Sequence, residues 1–491
     1  MKLKLLAVLL SIIVVSCSKK NVSEDTQPSS WEHNSSHNDK SERGILKSFS
    51  TFEVEVPSAP ITIAQYSSVY NSSATGNYSG PVYMDFALND DNTIDVFWIS
   101  SAEKWDGMFR QDSKYLCRVS LSGKNIVRQL VIPTLLKKRD SRFLGFKSLG
   151  NDQFVVGHSS VAEQTSQGAV SIEGGKTVTE AYYTNFNGNN GAIRYTTPVW
   201  KDPSITYENF GGPKYLPGQA STPVIGYNRD KDLLAVYMGH RMEAGHQGGF
   251  FAMMKASTGE LITKITGGKK YLVGHEWNYS HIFDMRLMPT TTGSADFYTL
   301  SHLDALPKRS LMFTAWNAKS GRMDGQLPYL DAIPGTGNQT YSKTGDFLEL
   351  PNGDIATVYA TGVKSPADYQ GALNVKLAII SGAGTSNARV KKEVWLSDYP
   401  PQSIIGAGPG MQLGLSADKK EILVCWNTFN GNIPVKTAFR MTDLDGNITS
   451  TIEESGISLL YHGQSMKRTP DGKLIFVSHG EGNKLLVNAI Q

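Results

Sequence analysis

Along most of the chain, short runs of alternating apolar and polar residues come in pairs with a polar turn between them. Strand side chains point to opposite faces in turn, so this period-two pattern predicts β-hairpins. Seven stand out, at 84–100, 143–159, 224–240, 283–301, 347–361, 412–427 and 465–479. Their turns centre near Asp91, Asn151, Asp230, Gly293, Gly353, Asp418 and Asp471, spaced 53 to 79 residues apart. Six are followed, 28 to 37 residues downstream, by a second turn at Gly123, Gly188, Gly259, Gly321, Gly384 and Gly446. Glycine suits tight turns because it accepts positive φ without steric cost. No stretch reads as a long amphipathic helix.

Two hairpins per repeat make four antiparallel strands, and seven such sheets set radially make a β-propeller. The expected fold is therefore all-β, a seven-bladed propeller of four-stranded antiparallel blades. Only 20 residues follow Asp471, enough for a third strand at Lys484–Ile490 but no fourth. The alternating segment 52–56 is the candidate for the missing strand, so an N-terminal strand would close the ring. In this topology the connection from second to third strand and the segment entering the next blade share one face, where ligands usually bind. The first- and second-hairpin turns lie on the other. Asp443 to Asn447 slightly resembles the start of a calcium loop, but its place at a repeated turn favours plain turn chemistry.

Histidine changes the picture most. Eight of the ten, His158, His240, His246, His275, His281, His302, His462 and His479, map to the expected functional face. Such a set could ligate a divalent metal, act as general acid or base, or cap strand ends. No compact ligand spacing such as HExxH is present, so a metal site would have to be assembled from several blades. Trp105, Trp200 and Trp277 fall on the same face, where an aromatic plane can stack on a sugar ring; Trp98 and Trp426 sit within strands and suit the core. Arg241, beside His240, offers a fork for a carboxylate or sulfate. A Gly-, Tyr- and Pro-rich excursion at 211–218 lies in the longest spacing between repeats.

The amino terminus follows another rule. Lys2 and Lys4 precede an apolar run, Leu5 to Val15, that is too short to span a bilayer. Residues 18–46 are rich in Ser, Asn, Lys, Asp and Glu, the composition of a solvated tether. The expected organisation is a signal peptide at 1–16, a tether at 17–46 and the propeller at 47–491. The 491 residues are 40% hydrophobic, and 48 basic against 45 acidic residues leave a net charge of +3, which gives no electrostatic case for nucleic acid. Three cysteines exclude a disulfide scaffold, and Cys117 and Cys425, inside apolar runs, read as buried thiols. The absence of a phosphate-binding loop, a Gly-x-Ser-x-Gly elbow and Cys-x-x-Cys argues against kinases, common esterases and thiol redox enzymes.

The sequence Val14-Val15-Ser16-Cys17 resembles a bacterial lipobox, and with the tether it is similar to outer-membrane lipoproteins of Gram-negative bacteria. The resemblance implies acylation of Cys17 and a place in the cell envelope, on the periplasmic or the surface side of the outer membrane. Size, blade count and the His-, Tyr- and Arg-bearing face are similar in layout to propeller-fold polysaccharide lyases. Those enzymes abstract a proton beside a uronic carboxylate. On that resemblance His281 and His302 would serve as base and carboxylate neutraliser, Arg241 as anion clamp, and Tyr237 or Tyr341 as acid, with His240, His246, Trp105 and Trp277 binding substrate. Three functions stay open: a glycan-binding and glycan-cleaving propeller, a non-enzymatic module for a protein partner or the envelope, and a histidine site for a divalent metal.

Overall fold

Every predicted hairpin is present in the computed structural model, and each supplies the first two strands of one blade. The structure describes residues 44–62, 84–100, 104–105, 108–109, 114–137, 142–161, 179–199, 205–206, 216–217, 224–241, 247–272, 285–291, 293–303, 310–323, 329–330, 342–362, 372–400, 402–431 and 433–491. They form seven antiparallel blades in a propeller ring. Blade 1 is Met84–Leu88, Thr93–Ile99, Lys114–Ser120 and Asn125–Gln129; blade 2 is Arg142–Gly150, Gln153–Val161, Thr179–Asn187 and Ile193–Pro198. Blade 3 is Val224–Asn228, Leu233–Arg241 and Gln247–Lys255, with an outer stretch held by a bridge from Leu261 to Met254. Blade 4 is Arg286–Pro289, Phe297–Leu303, Ser310–Asn317 and Gly321–Arg322; blade 5 is Ser342–Glu349, Ile355–Thr361, Asn374–Ser381 and Arg389–Trp395. Blade 6 is Ile405–Leu415, Glu421–Asn430, Ile433–Asp443 and Glu453–Glu454. Blade 7 is Lys467–Arg468, Leu474–His479 and Lys484–Ile490, and Phe49–Glu55 lies antiparallel to its third strand, from Phe49 opposite Ile490 to Glu55 opposite Lys484.

The second strands depart from simple alternation. Thr93–Ile99 and Ile355–Thr361 are buried along almost their whole length. The cause is the radial layout: each sheet has a neighbouring blade on both faces, so both side-chain sets meet apolar partners. In blade 3, Leu234 and Val236 pack with Leu144, Val155 and Tyr183 of blade 2. The alternate residues Leu233, Ala235 and Tyr237 pack with Phe297 and Trp316 of blade 4. Phe97 of blade 1 stacks on Phe146 of blade 2 at 4.6 Å, while Met84 and Phe86 join the cluster that holds Phe476 of blade 7 and Phe439 of blade 6. Cys117 and Cys425 are buried free thiols, as expected, and burial pushes the Cys117 thiol up to about 12. Trp98 and Trp426 are fully buried.

Positive φ falls at Gly259, Gly321, Gly384 and Gly446, as the turn argument requires. At Gly123 and Gly188 it does not; Lys124 and Gly191 take the left-handed position there. Gly188 has a different reason, since a Cβ would stand 2.5 Å from the Phe154 ring. Asp443 accepts the amides of Asp445 and Asn447 through one carboxylate oxygen, the chemistry of a turn.

Candidate functional site

Topology separates two faces. First-to-second-strand turns such as 89–92, 151–152, 229–232 and 416–420 are short, whereas second strands end and third strands begin on the opposite side, separated in sequence by stretches such as 100–113, 162–178 and 362–373. The inner strands of blades 3 and 5 begin, at Val224 and Ser342, on that same side. Second strands run toward it, and histidines stand in their final residues. His158 is in the last half of Gln153–Val161, His240 is next to last in Leu233–Arg241, His302 is next to last in Phe297–Leu303, and His479 ends Leu474–His479. His240 pairs with Gly248 and with Pro217, Arg241 with Gln247 and Leu216, and His302 with Leu311. Trp105 lies in a small hairpin, Lys104–Trp105 with Met108–Phe109, within the blade 1 connection. Cys17, Trp200, His246, Trp277, His281 and Tyr341 lie outside the described residues.

The histidines whose surroundings are described are held by packing. His158 is 8% exposed and stacks on Tyr182 at 5.6 Å. His462 is buried in the segment leading into blade 7. His479 Nδ1 lies 3.2 Å from the Tyr461 hydroxyl, which itself donates to the Ile61 carbonyl. That hydroxyl has one proton, and Ile61 takes it, so His479 must donate through Nδ1–H. Burial holds the His479 imidazolium down to about 4, leaving a neutral ring. Tyr237, expected as a proton donor, is instead fully buried between blades 3 and 4, its ring edge-on to Phe251. Its place in the strand explains this: it continues the Leu233 and Ala235 face that meets blade 4. Among the described residues no group of three His, Cys, Asp or Glu side chains could hold a metal.

A second cluster, not anticipated, lines the axis of the ring. The inner strands end at Leu88, Gly150, Asn228, Pro289, Glu349, Leu415 and Arg468, and three residues before those ends stand Asp85, Lys147, Ile225, Arg286, Asp346, Gln412 and Ser465. Pairing supports a common level: Asp85 is opposite Phe97, Lys147 opposite Val155, Ile225 opposite Val236, Arg286 opposite Leu300 and Gln412 opposite Cys425. Arg286 Nη2 binds Asp346 Oδ1 at 2.8 Å, with both side chains buried. Asp346 also accepts from Phe347 N at 2.9 Å, Leu413 N at 3.2 Å and Ser465 Oγ at 2.6 Å, so blades 4, 5, 6 and 7 meet on one carboxylate. The signal was present as a polar residue preceding an apolar one in, or just before, five of the seven inner strands: Asp85-Phe86, Arg286-Leu287, Asp346-Phe347, Gln412-Leu413 and Ser465-Met466.

Neither a family model nor a curated protein matches the sequence. Solved structures similar in the course of the chain include a protein of unknown function from Dyadobacter fermentans, at 10% identity over 90% of this chain and 100% of that one, with a TM-score of 0.41. An ulvan lyase of polysaccharide lyase family 25 is similar at 8% identity over 84% of this chain and 93% of its own, with a TM-score of 0.43. The family 74 xyloglucanase from Xanthomonas campestris is similar at 10% identity over 82% of this chain and 51% of its own, with a TM-score of 0.41.

Proposed function

We propose that this protein is a lipid-anchored propeller of the bacterial cell envelope, acylated at Cys17, that binds an extracellular polysaccharide on the face of the second-to-third-strand connections. The observation that carries the reading is that His240 with Arg241, and His302, stand next to or at the ends of two second strands that run to that face. Rigid strand ends flanked by long connections are where a propeller can present polar groups to a polymer. Arg241 supplies a fork suited to an acidic sugar, and Trp105 and Trp277 supply stacking planes. For β-elimination, His281 and His302 are the candidates for base and carboxylate neutraliser. Tyr341, directly before the inner strand of blade 5, replaces Tyr237 as the candidate acid. The test is a panel of uronic-acid polysaccharides, scored for retention of the protein and for the absorbance of a conjugated unsaturated uronate. Retention weakened by Arg241→Ala supports binding, and an absorbance rise abolished by His302→Ala adds lyase chemistry. No retention on any polymer would overturn the reading.

A second reading, a non-enzymatic module for a protein partner, is favoured by one observation. At the blade 6 edge of the same face Ile404, Ile405 and Ile433 are 71%, 42% and 66% exposed, and the Gly431 amide donates to the Ile404 carbonyl, which holds them together. Clustered exposed isoleucines are a feature of protein contact surfaces. Retention of a protein from envelope extracts, lost on Ile404→Ser with Ile433→Ser, together with no polysaccharide binding, would favour it.

A further inference from the structure

The inner strands enclose a cavity of about 60 Å³, whose wall carries Asp85 from blade 1, Lys147 from blade 2, Arg286 from blade 4, and Ser465 and Lys467 from blade 7. Its remaining lining is mostly apolar, including Ile225 and Leu287. Arg286 is matched by Asp346 behind it. The ammonium groups of Lys147 and Lys467 have no hydrogen bond and no ion pair among the described residues, although they enter one small space. An ammonium placed in such a space without a counter-charge is unfavourable, since desolvation and mutual repulsion both act against it. Both effects are visible at Lys147, whose ammonium is brought down to about 8, by burial first and by Lys467 next, with Arg286 adding to it and Asp85 and Asp346 opposing. Three cations against two carboxylates leave one positive charge unmatched.

We propose that this cavity is a binding site for a singly charged oxyanion, a carboxylate or a sulfate ester group, held between Lys147 and Lys467 with Arg286 as a neighbouring donor. The charge surplus selects an anion of one negative charge, and charge-assisted hydrogen bonds from ammonium groups to such oxygens are stronger than neutral ones. The volume exceeds the roughly 10–15 Å³ that one water requires, and it suits an acid group rather than a whole sugar ring. The group could arrive as a free small anion or as the acid end of a larger molecule. The site does not depend on the glycan reading, since none of the residues named for that reading lines it.

The test follows acylation of Lys147 in the full-length protein by an amine-directed reagent at pH 7, with the modified peptide quantified by mass spectrometry. Each addition is made at constant ionic strength with chloride as the balancing salt. An anion that raises the Lys147 pKa by one unit lowers the reactive neutral amine about tenfold. Acetate and methyl sulfate are expected to slow acylation by about that factor, and Lys467→Met is expected to abolish the effect while leaving the melting temperature of the anion-free protein close to that of the parent. Protection by an acidic oligosaccharide at far lower concentration than by acetate would assign the group to a polymer, and protection by small anions alone would assign it to a free anion. Equal acylation rates in acetate, methyl sulfate and chloride would overturn the proposal, as would full protection persisting in both Lys467→Met and Lys467→Gln.

Discussion

Two residues hold together parts of the ring far apart in sequence. Asp346 accepts from Arg286, Ser465 and the amides of Phe347 and Leu413, with side-chain exposures of 6% for Arg286 and 3% for Asp346. Removing one partner of a buried pair leaves the other charge uncompensated, so Asp346→Asn is expected to destabilise by about 3–5 kcal/mol, measured by urea unfolding. Replacing Arg286 and Asp346 together should cost less than the single change. His479, by contrast, sets a pH dependence. Its folded value near 4 lies below the unfolded value of 6.5, so between them the unfolded chain binds the extra proton. The stability contribution is complete above 6.5 and is lost as the pH falls toward 4, at up to about 1.4 kcal/mol per pH unit. His479→Gln should flatten that part of the unfolding profile, and an unchanged slope would show that His479 is not held neutral.

At the scale of elements, inner and second strands were legible because each joins a strong apolar pattern to a polar turn. The outer strands were less so: Gly321–Arg322 and Glu453–Glu454 have two residues each, and a pattern of period two cannot be read from two residues. Blade 3 shows the limit. Past Leu261 the chain leaves the blade for a separate hairpin, Thr263–Thr266 with Lys269–Leu272, where Ile265 is 76% exposed despite its strand-like setting. The predicted strand at 52–56 is found at Phe49–Glu55, with Val54 buried at 4% against the cluster of blades 6, 7 and 1. The amides of Ile45 and Leu46, just before it, donate to Glu453 of blade 6. If this strand closes the ring, Val54→Asp should cost several kcal/mol, because it places a charge in an apolar interface and frees the edge of Lys484–Ile490 for pairing with other chains. A melting temperature within a degree or two of the parent would remove the strand from the account of stability.

At the scale of the molecule, sequence spacing assigned histidines to a face but not to surroundings. Once the blades are laid out, His158 and His479 prove to be packed, and Tyr237, read as a catalytic group from its sequence neighbourhood, belongs to the core between blades. The axial charges were hidden for the converse reason. Asp85, Lys147, Arg286 and Asp346 are far apart in sequence and converge only when the inner strands are aligned on their ends. The central claim is that one face of the ring binds a polysaccharide and the other does not. Hydrogen–deuterium exchange with an oligosaccharide of a polymer retained in the panel tests it most directly. Slowed exchange confined to the final residues of Leu233–Arg241 and Phe297–Leu303 and to the connections beyond them, with the turns at 89–92, 151–152 and 416–420 unaffected, is the predicted result. Protection centred on those opposite turns, or none at saturating oligosaccharide, would contradict it.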